Sequence, residues 1–251
     1  MKTIYLTIFY SLLSANFLAA QIVNIEDRRN SVLDTAGWSG LLDLRFNLIE
    51  NGATVISTRS SARVDFLKDR HHFFSISQYN FGKVEDAAFI EDGFQHLRYN
   101  YHWKSKITWE VFTQLQYNEK INLRLRWLLG TGPRFTILDN TKNKMFIGTL
   151  YLYEYNEEFF EEDQNIFSRE HRLSAYFSFV LKPTTTLTFS GTTYFQPSVD
   201  NFRISSQHSL NFKIIKNLSF SSGFGLSYDS SPPGEVVNLI YQFTNGIRWT
   251  F

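Results

Sequence analysis

Every second residue from Val237 to the end of the chain belongs to one series: Val237, Leu239, Tyr241, Phe243, Asn245, Ile247, Trp249 and Phe251. All but Asn245 are apolar or aromatic. The residues between them are Asn238, Ile240, Gln242, Thr244, Gly246, Arg248 and Thr250, nearly all polar or small. A period of two with unlike halves is the pattern of a β-strand with one greasy face. This strand is long and runs to the last residue, where chains ordinarily fray. Lipid offers the backbone no hydrogen-bond partner, so a sheet crosses a membrane only as a closed barrel, apolar outward and polar inward. The pattern therefore predicts a transmembrane β-barrel strand.

The two chain ends agree. Tyr241, Phe243, Ile247, Trp249 and the terminal Phe251 resemble the C-terminal signal by which the barrel-assembly machinery recognises bacterial outer-membrane proteins. Residues 1–20, MKTIYLTIFYSLLSANFLAA, carry one Lys and then an apolar run. Ala19 and Ala20 before Gln21 predict a secretory signal peptide cut after Ala20, with Leu18 a mediocre fit at the third position back. No other stretch approaches the roughly 18 apolar residues of a membrane helix. There is no Cys, which excludes disulfides, thiolate metal sites and a lipoprotein anchor. The formal net charge is +1, with no basic stretch interleaved with aromatics, so no nucleic-acid partner is expected.

Alternation and turn residues predict twelve strands near 37–47, 53–66, 71–81, 94–103, 107–117, 121–131, 145–155, 170–181, 185–195, 202–214, 218–228 and 237–251. The third is the weakest, because His71, His72, Phe73 and Phe74 do not alternate; without it the count falls to ten. Such lengths suit the roughly 9–11 residues that a tilted strand needs to span hydrocarbon. With both termini periplasmic, outer loops fall near 48–52, 82–93, 118–120, 156–169, 197–201 and 229–236, and the inner turns are short and Lys-rich. The expected architecture is an all-β, antiparallel, up-and-down transmembrane barrel over 37–251, preceded by a periplasmic segment at 21–36. The soluble rival is a lipocalin-like or sandwich domain with its apolar face inward. Long strands with Trp and Tyr near their ends favour lipid outside.

Several stretches carry a family resemblance: IVNIEDRR at 22–29, GWSG at 37–40, QLQYNEKINLRLRWLLGTGPRF at 114–135 and RLSAYFSF at 172–179. Together they resemble the salt-stress-induced outer-membrane proteins of Gram-negative bacteria, catalogued chiefly as domain of unknown function 481. The resemblance implies location and fold. It implies no catalytic residues and no cofactor.

The polar strand faces carry the candidate functional residues. If they face the lumen, its basic lining is Arg45, Arg59, Arg63, Arg98, Arg124, Arg126, Arg172, Arg203, Lys213 and Arg248. Its acidic lining is Asp43, Asp65, Glu110, Glu154 and Glu170. One reading is a packed network of arginine–carboxylate pairs filling the barrel. The other is a passage whose excess of positive charge favours anions. Twelve strands lie between the filled eight-stranded barrels and the water-filled channels of about sixteen. Gly130, Gly132, Gly223 and Gly225 are expected to leave gaps in the lining. The acidic stretch Glu154, Glu157, Glu158, Glu161, Glu162 and Asp163 around Phe159-Phe160 reads as an outer loop, without calcium-loop spacing. Ser206 and His208 share an apolar face with Asn245 as a candidate orienter, but i, i+2 residues stand about 7 Å apart along a strand. His96 and His102 share a face but lie far apart, so no shared metal is expected.

These readings converge on an outer-membrane barrel, structural or stress-related, with at most a narrow, anion-preferring pore. Its expected partners are outer-membrane lipids and, during biogenesis, the assembly machinery. A small-solute porin is the alternative, and a lipid-modifying enzyme the third reading.

Overall fold

In the computed structural model, residues 25, 36–50, 54–84, 87–119, 122–160, 164–232 and 237–249 are described. The predicted signal peptide and Phe251 lie outside them, as does most of the predicted periplasmic segment. Twelve antiparallel strands follow in chain order, each paired with its sequence neighbours: β1 (Gly37–Glu50), β2 (Thr54–Lys68), β3 (His71–Val84), β4 (Ala87–Lys104), β5 (Ile107–Asn118), β6 (Leu123–Asp139), β7 (Asn143–Phe160), β8 (Gln164–Leu181), β9 (Leu187–Pro197), β10 (Phe202–Ile215), β11 (Leu218–Asp229) and β12 (Leu239–Trp249). Among the described residues no ladder joins β12 to β1. The sheet nevertheless curls until both flank one interior space, bordered by Asp43 and Arg45 of β1 and by Ile240 and Gln242 of β12.

Two-residue turns close one end of the sheet, at 69–70, 105–106 and 216–217. Asp69 adopts φ of 53°. Tight hairpin turns need this left-handed geometry because it matches the twist of the strands, and Asp tolerates it. The long outer loops expected at 82–93 and 156–169 are mostly strand instead. β3 and β4 run on to Val84 and Ala87, and β7 and β8 to Phe160 and Gln164. Polar residues ended the sequence signal there, yet backbone pairing holds a strand together without an apolar face.

The least regular of the predicted strands, β3, is fully paired on both sides. Its phase blurs because Phe74 and Ile76 turn inward and are buried. A β-bulge at the start of β6 changes a second expectation. Leu123 pairs with Glu158 and Leu125 with Glu157, so Arg124 has no partner across the ladder. An extra residue reverses the alternation locally. Leu123 is consequently buried, while Arg124 has a 52% exposed side chain, paired to Glu157 at 3.1 Å and lying over the Phe159 ring. Arg124 is not a lumen residue.

Candidate functional site

The interior divides into a filled wall and an open chamber. The filled wall spans β4 to β11 and is organised around two carboxylates. Glu154 of β7 receives Arg203 of β10 at 2.7 Å, Arg172 of β8 at 3.0 Å and Arg126 of β6 at 3.3 Å. Arg203 also reaches Asp229 of β11 at 2.7 Å, and Arg172 bonds Glu170 and the Gln196 carbonyl. The second centre is Glu110 of β5. It pairs with Arg98 at 3.2 Å and Arg134 at 3.7 Å, and accepts the Tyr176 hydroxyl at 3.0 Å. Alternation aims each of these side chains inward. Charge-assisted, multiply bonded contacts of this kind are the strong ones away from water.

Rings fill the remaining space on this wall. Phe112 lies over Gly130 and Tyr176 over Gly148, so a Cβ added at either glycine would come within 2.3 Å or 2.1 Å of a ring carbon. The gap expected at Gly130 is thus occupied by its cross-strand neighbour. Gly132 leaves no gap either, because a Cβ there would meet the backbone of β7. Arg98 and Arg134 lie against the Phe112 and Phe146 rings, at 4.9 and 3.9 Å from their centroids.

Ile25 is also interior. It packs with Phe74, Ile76 and Phe94 on the inner face of β3 and β4, and it borders a small cavity shared with His96, Leu128, Leu152 and Tyr194. This position is predicted to be periplasmic, with no interior role. The inward turn of Phe74 and Ile76 is the complement of that contact.

The chamber occupies about 900 Å³ on the opposite side, between β1–β4 and β10–β12. Its walls are hydroxyls and amides, among them Asn47, Ser57, Gln78, Gln207, Ser227 and Gln242. Among the described residues the charged ones lining it are Asp43, Arg45, Arg59, Arg63, Glu91 and Asp92, all from β1–β4. Arg45 is bidentate to Asp43, at 2.9 and 2.8 Å, and Arg63 bonds Asp65 at 2.6 Å, with His72 2.8 Å from the same carboxylate. Gly225 opens into this space, with nothing nearer than 4.0 Å to a Cβ built there.

Of the predicted lining, Arg63, Asp65, Arg98, Glu110, Arg126, Glu154, Glu170, Arg172 and Arg203 meet in ion pairs, and Asp43, Arg45 and Arg59 border the chamber. Lys213 stands exposed near the end of β10, beside a bulge, and Arg248 lies in β12 opposite Ser219. Arg134, Asp229 and Asp92 join the interior though the sequence reading placed none of them there, and Tyr176 joins it from the polar face of its strand, where alternation puts it. For Arg134 and Asp229 the signal was continued alternation beyond the predicted strand ends. With Arg124 outside and these carboxylates inside, the expected positive excess shrinks.

The acidic stretch is not one loop. Glu154 is the centre of the filled wall, Glu157 and Glu158 pair within the β7–β8 ladder, and 161–163 lie outside the described residues. Ser206 and His208 are closer than strand spacing suggested, with Oγ 2.7 Å from Nε2, because the side chains lean together. Thr193 shares the same Ser206 hydroxyl, and His208 fills the space over Gly191 beside Phe179 and Phe189. Its Nδ1 is buried with no hydrogen-bond partner, so Asn245 does not orient it. A nucleophile–base pair needs that third group. No group of three or more metal-ligating side chains occurs among the described residues.

The comparisons with known proteins bear on this geometry at the level of family. The family described as protein of unknown function, DUF481, matches residues 53–249. The chain belongs to that family. Among curated proteins nothing matches. Two solved structures are similar to this DUF481 chain, each at 10% identity. One is the NanC porin in a rhombohedral crystal form, covering 84% of this chain and 100% of that one at a TM-score of 0.48. The other is the KdgM porin in complex with disordered oligogalacturonate, covering 85% and 99% at a TM-score of 0.41.

Proposed function

We propose that this chain is a β-barrel of the Gram-negative outer membrane, with a role in the envelope and at most a narrow, weakly anion-preferring pore through its chamber. The observation that carries this is an inversion of the usual burial. Trp38, Phe46, Tyr241 and Ile247 are 75, 66, 67 and 74% exposed, while Glu110, Glu154 and Arg172 are at most 1% exposed. Water-soluble proteins bury the first kind of residue and almost never fully bury the second. A continuous apolar exterior of this sort is stable only against lipid. The soluble alternative, with its greasy face inward, fits neither set of residues. The envelope-stress setting implied by the family resemblance belongs to this reading.

The refolded mature protein in a planar bilayer under a salt gradient tests it. Small, steady currents with a modest preference for chloride are expected. A cation-selective reversal potential would overturn the charge assignment of the lumen. Silence from protein shown to be folded by its heat-dependent gel mobility would make the barrel purely structural. Ile25→Asp probes what narrows the pore. A carboxylate there loses the contacts with Phe74, Ile76 and Phe94, and the nearby His96 and Arg98 are already engaged with Gln114 and Glu110, so burying it costs several kcal/mol. It is expected to leave that niche and raise single-channel conductance several-fold, with the midpoint of urea unfolding little changed. Unaltered conductance would mean that Ile25 does not restrict the passage.

A further inference from the structure

Four residues, one in each of β1–β4, form a row across the chamber wall. Arg45 is opposite Arg59, Arg59 opposite Asn80, and Asn80 opposite Asp92. Two like charges directly opposed on neighbouring strands repel. Asp43 offsets one of them by its bidentate grip on Arg45. Arg59 lies within electrostatic reach of the same carboxylate but makes no direct contact with it. Among the described residues it forms no ion pair, and it donates its Nε to the neutral Asn80 Oδ1 at 3.2 Å. Arg45, Arg63, Arg98, Arg126, Arg134, Arg172 and Arg203 all hold a carboxylate.

The same amide has a second partner. Asn80 Nδ2 donates to Asp92 Oδ2 at 2.8 Å, and Asp92 too forms no ion pair among the described residues. Besides Glu91, which also lines the chamber with no ion pair among the described residues, Arg59 and Asp92 are thus a cation and an anion left over on its wall. They are held two strands apart, about 10 Å between backbones, on either side of an asparagine that turns its oxygen to one and its nitrogen to the other. The printed contacts occupy the Arg59 Nε and one Asp92 oxygen, which leaves the outer guanidinium nitrogens and Oδ1 for a visitor. Across the chamber the facing residues are neutral: Ser205, Gln207, Ser227 and Gln242. Among the described residues no charge lines that side.

We propose that this row is a binding seat for a small zwitterionic solute, its carboxylate on Arg59 and its ammonium on Asp92. A guanidinium fork matches a carboxylate, and a carboxylate oxygen accepts from an ammonium. A solute of either single charge satisfies one end and leaves the other facing its own kind of emptiness, whereas a zwitterion satisfies both. The chamber is large enough for such a molecule with its waters. This rests on the chamber reading proposed above, and binding is read without requiring current.

The test is calorimetric titration of the detergent-folded, full mature chain with 4-aminobutanoate, butanoate and butylammonium in turn. Wild-type protein should bind 4-aminobutanoate at least about tenfold more tightly than either singly charged analogue, a difference of roughly 1.4 kcal/mol. Arg59→Gln and Asp92→Asn should each remove that advantage. Arg59→Lys should retain part of it, which a merely structural role for the fork would not require. Butanoate binding as tightly as 4-aminobutanoate would reduce the row to a simple anion site and overturn the inference. So would equal affinity in wild type and in Arg59→Gln shown folded by heat-dependent mobility. If binding depends on both residues but bilayers stay silent, the seat stands and the pore reading falls. If currents flow and no variant alters binding, the reverse holds.

Discussion

Glu154→Gln is expected to lower the unfolding free energy of the barrel by about 3–5 kcal/mol, the usual cost of removing one partner from a buried ionic cluster. The carboxylate is shared by Arg203, Arg172 and Arg126, which come from three other strands. Arg203 retains Asp229 and Arg172 retains Glu170. Arg126 retains the side-chain amide oxygen of Asn156 at 2.8 Å and, at longer range, Glu158. The isosteric amide keeps the volume and removes the charge, so packing loss does not confuse the result. Adding Arg126→Met to the variant should recover part of the loss, because it removes the guanidinium left worst placed. Urea titration of protein folded into lipid vesicles, followed by circular dichroism, reads both effects. A loss below about 1 kcal/mol would put this cluster with exposed surface pairs and undo the account of the filled wall.

Gly132→Ala should be at least as damaging, for a different reason. A Cβ at Gly132 would stand 2.2 Å from the Thr149 carbonyl oxygen and 2.7 Å from the Leu150 Cα. Both are backbone atoms of β7, so no rotamer change relieves the contact, and the strands themselves must part. The ladder is already interrupted there, between Thr131↔Tyr151 and Arg134↔Gly148, where Pro133 brings no N–H. Overpacking in a rigid interior typically costs about 1–3 kcal/mol. A collision with backbone in the middle of the filled wall belongs at or beyond the top of that range, and reduced yield of folded protein is expected. Gly225→Ala is the control, since its Cβ would enter the open chamber. Equal behaviour of the two in the same titration would mean that β6 and β7 are not closely apposed.

What the sequence disclosed and what it withheld separate along physical lines. A face is legible because alternation fixes it: Leu187, Phe189 and Phe195 against Thr188 and Thr192 in β9 need no coordinates to be sorted. Axial level is not legible, since period two is the same at every height. That is why Arg126, Arg172 and Arg203 were visible as interior residues but their meeting on Glu154 was not. Single-residue irregularities are invisible for a related reason. One bulge moved Arg124 outside and Leu123 in, and nothing in LRLRW announces where the extra residue falls. Ile25 escaped because the stretch Ile22-Val23-Asn24-Ile25 gives way at once to Glu26-Asp27-Arg28-Arg29, too short to show a period. Its partners Phe74 and Ile76 did leave a trace, as the broken alternation of β3.

The ladder between β8 and β9 covers only Ala175–Leu181. Gln164–Ser174 therefore rise past β9 with one edge bare of a neighbouring strand among the described residues. Such an edge is an invitation to other copies, because its free amides and carbonyls would zip onto any extended chain. The segment answers with Arg169, Glu170, His171 and Arg172 in succession, and with side-chain contacts from Asn201 to Glu170 and from Arg172 to the Gln196 carbonyl. The residues that hold the interior together thus continue up the bare edge as a run of charge, the kind of barrier that opposes pairing with another strand.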